Sequence, residues 1–108
     1  MVTRTPEWLE ERRLALHELV AAEIRRAPWL FDRVKGNLDR WRSQRNAPGA
    51  SYLAWYELVA DGIETTLAAA TERSERGNAL RGASPFAGVL DEETRLAFLD
   101  AWSRRCDR

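Results

Sequence analysis

The chain reads as an all-α protein, a compact bundle of five or six short helices forming one domain over residues 1–108. Three observations predict this. Apolar residues recur at three- and four-residue steps along most of the chain. Residues that start helices, Thr5, Asp61, Ser74 and Asp91, stand just ahead of these runs. No stretch alternates apolar and polar residues as a half-buried strand would.

The first helix has the clearest start. Thr5 caps free N–H groups, Pro6 takes the first helical position, and Glu7 meets the positive end of the helix dipole. Leu9, Leu16, Val20 and Ile24, with Leu19 beside them, form its apolar stripe. Ala27-Pro28 ends it, because a residue before proline avoids the α region. The second helix runs from Pro28 or Trp29 to about Ser43, with Leu30, Val34, Leu38 and Trp41 on one face. Gly36 weakens it by about 1 kcal/mol relative to alanine.

"SQRNAPGA", 43–50, is a loop by its turn chemistry. A third helix, 52–60, aligns Tyr52, Trp55, Tyr56 and Val59. Asp61 then caps a fourth helix, 62–71, with Glu64 reaching back to complete a capping box. Ser74 caps a short helix ending at Arg81, and Asp91 opens the last one, which carries Leu96, Phe98, Leu99, Trp102 and Cys106. Loops this short make sequential helices neighbours.

Composition narrows the function classes. A 44% apolar, 31% charged chain of this length is globular rather than disordered. Its zero net charge argues against a chain built mainly to coat nucleic acid. The charge is nevertheless segregated. Residues 25–45 carry seven cations against two anions, and residues 46–72 carry four anions and no cation, so the two segments could face each other. One cysteine, Cys106, allows no internal disulfide and suits a reducing, cytoplasmic setting. No apolar run is long enough to span a membrane, and the charged start "MVTRTPEWLEERR" lacks the apolar core of a signal peptide.

Signals for an enzyme are poor, and no catalytic residue, cofactor or metal is expected. His17, in "LHELV", has no second histidine four residues on and reads as a packed ring near Arg13 or Ala21. Cys106 has neighbouring arginines but no base in sequence reach. No phosphate-binding glycine loop or nucleophile elbow occurs. Glu10-Glu11 and Asp91-Glu92-Glu93 sit at helix starts, where negative charge is simply stabilising.

Two features point to binding instead. Arg26, Arg33 and Arg40 recur every seven residues with Trp29 and Phe31 between them, a stripe suited to phosphates or to carboxylates. Five tryptophans, Trp8, Trp29, Trp41, Trp55 and Trp102, exceed the two or three that a core this small holds. Trp and Arg are enriched at interface hot spots.

The segment "RSERGNALRGASPFAGVLDEETRLAFLDAW", 73–102, breaks the charged, helical texture. Its pattern of Ser74, Leu80, Arg81, Ser84, Pro85, Phe86, Ala87, Gly88 and Leu90 resembles a block near the C-terminus of small helical bacterial proteins of toxin–antitoxin operons. "LDRWRSQ" and "WYELVADGIETTLAA" resemble the same proteins more loosely. The resemblance implies an antitoxin that neutralises its cognate toxin, nucleotidyltransferase-like, by direct contact and without a catalytic residue. It carries no DNA-binding domain of the kind many antitoxins have.

The residues expected to face the partner are Trp29, Trp41, Trp55 and Phe86 as apolar anchors, with Arg33 and Arg40 pairing with acidic groups. Phe86 also reads as a core plug held in a small-residue loop. The alternative function is a small DNA-binding transcriptional regulator using the basic helix at 29–43.

Overall fold

In a computed structural model describing residues 5–44 and 49–106, and not the side chain of Cys106, helices follow one another with no strand among the described residues. They are α1 (Pro6–Arg26), α2 (Phe31–Ser43), α3 (Gly49–Asp61), α4 (Ile63–Ala70), α5 (Glu75–Arg81) and α6 (Glu92–Cys106). A 3-10 turn, Pro28–Leu30, leads into α2. The fold is therefore the expected all-α bundle of six helices. Residues 45–48, the middle of the expected 43–50 loop, lie outside the described residues, as does the Cys106 thiol.

Most caps are where the sequence places them. Thr5 Oγ1 accepts from Trp8 N at 3.1 Å, Ser74 Oγ from Gly77 N at 3.0 Å, and Asp91 Oδ1 from Thr94 N at 2.7 Å. Each satisfies one orphan donor of a helix start. The α3–α4 junction differs. Asp61 is the last residue of α3, and Gly62, at φ 127°, stands at the N-cap of α4 without a side-chain cap. Only glycine enters that region cheaply, so the reversal falls on Gly62. Asp61 accepts instead from Thr65 Oγ1 at 2.7 Å, and Glu64 pairs with Arg25 at 3.1 Å, so the expected capping box does not form. That ion pair is where the basic and acidic segments meet.

The buried face of α1 is Leu14, His17, Val20, Ala21 and Ile24; Leu9, Leu16 and Leu19 are half-buried at its edges. The face thus turns toward a histidine and an alanine that hydropathy alone underrates. In α2 the buried set is Phe31, Val34, Asn37 and Leu38, with Leu30 and Trp41 at the margin. Of these, Val20, Ala21, Ile24, Phe31, Val34 and Leu38 pack with Trp55, Leu67, Ala69, Ala70, Leu80, Phe86, Val89 and Leu90 as one core.

Gly77 is required by a close approach. A Cβ there would collide with the Glu72 carbonyl oxygen, so α5 can lie against the end of α4 only with glycine at this position. Helix α6 differs from the rest, because none of its described side chains is buried. It is tethered by the Asp91 cap and by Trp102 set edge-on to Trp8 at 5.9 Å between centroids, and it leaves Leu96 51% exposed. No helix among the described residues is long and apolar enough to cross a membrane.

Candidate functional site: the loop hub and the outer face of the second helix

Residues 82–91, which join α5 to α6, form the hub of the molecule. Phe86 is 6% exposed and sits between two rings, edge-on to Trp55 at 5.4 Å and to His17 at 5.5 Å. Edge-to-face pairs of this kind add about 0.5–1.5 kcal/mol beyond area burial. Pro85 is fully buried beside it. Gly88 adopts φ 82°, which turns the chain back toward Val89 and Leu90.

Three helices each send one polar side chain to hold this loop. Asn37 of α2, 2% exposed, donates to Pro85 O at 2.8 Å and Ala87 O at 2.9 Å. Trp55 of α3, with no exposed surface, donates its indole N–H to Leu80 O at 3.1 Å and Ala83 O at 2.9 Å. His17 of α1 meets Ser84 Oγ at 2.9 Å. These bonds answer a requirement: a loop driven into a core must find partners for its backbone carbonyls.

The His17 tautomer follows from its partners. Nδ1 lies 2.6 Å from Arg13 O, which can only accept, so Nδ1 carries the proton and donates. Nε2 of the neutral ring then accepts from the Ser84 hydroxyl. Burial pushes the His17 pKa below its ordinary 6.5, and the nearby charges of Arg81 and Arg13 push the same way, against the Arg13 carbonyl bond. A depressed folded-state pKa means that the unfolded chain binds the proton more tightly. Stability is therefore full above pH 6.5 and is lost as pH falls through the folded pKa. Thermal unfolding of the parent is expected to show a falling midpoint as the pH drops below 6.5, and His17→Leu is expected to lack that segment. Parallel profiles over this interval would refute the assignment.

The hydroxyl–imidazole pair borders a cavity of about 210 Å³ between α1, the loop and α6, lined by Leu16, Val20, Phe86 and Leu90 with Arg95 at one side. A hydroxyl donating to an imidazole fixed from behind is the starting geometry of an activated nucleophile. Here both partners are also ties that fasten the loop to α1.

Arg81 supports the hub from beneath. It is 4% exposed; Nη1 donates to Ala70 O at 3.0 Å and Glu72 O at 2.8 Å, and Nη2 to Asn78 Oδ1 at 2.7 Å. The guanidinium thus closes the open C-terminal carbonyls of α4. Burial, then the nearby Arg73 charge, draws its pKa below that of a free arginine.

The residues expected to face a partner divide into two groups. Trp55 and Phe86 are buried core residues here. Trp41 is half-buried against the core. Trp29 is 71% exposed, and Arg33 and Arg40 are exposed on α2. Trp29, Arg33, Gly36 and Arg40 step by four, three and four, which places them on one outer face of the 3-10 turn and α2. Arg33 lies along the hub loop, its Cδ 3.5 Å from where a Gly88 Cβ would stand, and Arg40 donates to Asn37 Oδ1.

Sequence reasoning missed Asn37 altogether. The available signal was a single amide amid the apolar positions of α2, between Val34 and Leu38. No group of His, Cys, Asp and Glu that could hold a metal occurs among the described residues. Compared with protein families, with curated proteins and with solved structures, the chain finds no match.

Proposed function

We propose that this chain is a non-enzymatic protein-binding module of the antitoxin type, which neutralises a toxin by direct contact, covering its active cleft or blocking its substrate path. The toxin class favoured by the sequence resemblance is nucleotidyltransferase-like. The observation that carries the reading is Trp29, a large aromatic left 71% exposed although the core has taken up Trp55 completely. Exposed tryptophan beside arginine is the composition of an interface hot spot. Leu53, Tyr56 and Leu96 add further exposed apolar surface.

The test is genetic and biochemical. Expression of the adjacent gene alone is expected to stop growth, co-expression of this chain to restore it, and the two proteins to co-purify at a defined ratio. Growth arrest without rescue, or no co-purification, would refute the reading. A second reading, a DNA-binding regulator using residues 29–43, draws on the exposure of Arg33, Lys35, Arg40 and Arg42. Asp32 and Asp39 on the same helix weigh against close phosphate contact.

A further inference from the structure

We infer that the outer face of the 3-10 turn and α2, built on Trp29, Arg33 and Arg40, is the docking face, and that its occupant is an acidic protein surface. The inference rests on the protein-binding reading above and adds to it a location and a partner chemistry. It starts from the way the cations are paired. Arg25, Arg26, Arg73, Arg76, Arg95 and Arg104 each hold a carboxylate within 3.3 Å. Arg33, Lys35, Arg40 and Arg42, the four cations of α2, make no ion pair among the described residues.

Arg12, Arg13 and Arg105 hold no carboxylate either, but α1 and α6 also carry paired arginines, whereas none of the cations of α2 is paired among the described residues. Three carboxylates outside α2 pair with arginines of other elements: Glu64 with Arg25, Glu72 with Arg76, and Glu92 with Arg95. The charge of α2 is left for something outside the molecule. Arginine forks match carboxylates in pairs of hydrogen bonds, and a partner surface rich in Asp and Glu supplies them.

Shape and rigidity agree with docking. Between Arg33 and Arg40 lies Gly36, where a Cβ would meet nothing within 4 Å, so the surface there is open. A partner backbone can approach closely at such a step. Trp29 stands at one end as the apolar anchor. Arg40 is tied to Asn37, and Asn37 to the buried loop, so the Arg40 guanidinium is held in place before any partner arrives. Preorganisation lowers the ordering cost of association. The hub loop is then the part that positions the binding residues, while its own Phe86 stays in the core.

Duplex DNA is the competing occupant, and the acidic protein is favoured for two reasons. The face carries one large aromatic anchor suited to a pocket, and Asp32 and Asp39 interrupt the positive surface a phosphate backbone would follow.

The experiment titrates the full chain with the adjacent-gene protein and, separately, with a mixed-sequence 20-base-pair duplex, at low and moderate salt. Arg33→Glu with Arg40→Glu is expected to weaken binding of the protein at least a hundredfold, and Trp29→Ala at least tenfold. Arg73→Glu with Arg76→Glu, on other elements, is expected to change it less than threefold. Helical circular dichroism is expected to stay at the parental value for the α2 variants, since the changed side chains are exposed, and the thermal midpoint to fall only slightly, through loss of the Arg40–Asn37 bond. Protein binding that ignores the α2 substitutions overturns this face while leaving the antitoxin reading standing. Salt-steep binding of the duplex that the same charge reversals abolish assigns the face to nucleic acid and overturns the acidic-protein occupant. Failure to bind either probe overturns both the reading and this inference.

Discussion

Trp55→Ala is expected to lower the free energy of unfolding by about 3–5 kcal/mol, the range for removing a large aromatic from a core. Trp55 has no exposed surface and sits edge-on to Phe86, so truncation opens a cavity at the centre of the bundle. It also strands the Ala83 carbonyl, whereas the Leu80 carbonyl, which shares the indole N–H, keeps its bond from Ala83 N at 3.2 Å. Trp55→Phe separates the two effects: it refills most of the volume but still leaves the Ala83 carbonyl without its donor, at a cost of about 1–3 kcal/mol. Urea denaturation followed by far-ultraviolet circular dichroism measures both. For a domain of this size each kcal/mol shifts the thermal midpoint by roughly 4–8 °C. An alanine variant within about 1 kcal/mol of the parent would show that Trp55 is not the centre of this core.

Arg81→Met is expected to be the costliest change at a charged position, about 3 kcal/mol, because three acceptors lose a buried cationic donor at once. Methionine keeps the length and the apolar stem, so the loss reports on hydrogen bonding rather than volume. Arg81→Lys is expected to restore only part of it. An ammonium is a point charge, whereas Ala70 O and Glu72 O are reached together by one planar guanidinium nitrogen with its partner on Asn78. Exposed arginines such as Arg104, paired with Asp100 at the surface, are the comparison, with an expected cost under about 1 kcal/mol. If the two methionine variants, at positions 81 and 104, were equally stable, the capping role of Arg81 would fall.

These two residues also show how unevenly the site can be read from the chain. Arg81 stands in the block that carries the family resemblance, yet nothing in "NALRGAS" says that its guanidinium turns inward to close the end of α4. Trp55 was legible as an apolar-face residue but not as the donor to the Leu80 and Ala83 carbonyls, since those partners lie 25 and 28 residues away. Phe86 admitted two readings, core plug or partner anchor, and both fit its small-residue setting. Its place between the Trp55 and His17 rings makes it the plug. Asn37 gave no warning, because an isolated amide in a helix pattern looks the same whether it faces water or a buried loop.

The α3–α4 junction shows the same limit on a smaller scale. "ADGIET" supports a cap at Asp61 or at Gly62 one residue later. The positive φ of Gly62 and the call of Arg25 on Glu64 settle it against the capping box. A cap signal is local, but its carboxylate is free to pair with whatever the fold brings near.

Helix number, type and most boundaries follow from neighbours a few residues apart: Thr5-Pro6, Ala27-Pro28, Ser74 and Asp91 act through backbone donors within one turn. Composition and periodicity are therefore enough for an all-α chain. Which tryptophan is spent on the core and which is left at the surface is a different kind of question. Trp29 and Trp55 have equal hydropathy, and their fates diverge because α3 is enclosed by α2, α4 and α5 at Trp55, while the turn before α2 faces outward. Burial is a property of the assembled helices, since a side chain is hidden only by elements distant in sequence. The pairing of the cations is decided in the same way, by which carboxylates the packing brings within reach, and it leaves the four on α2 without a carboxylate among the described residues.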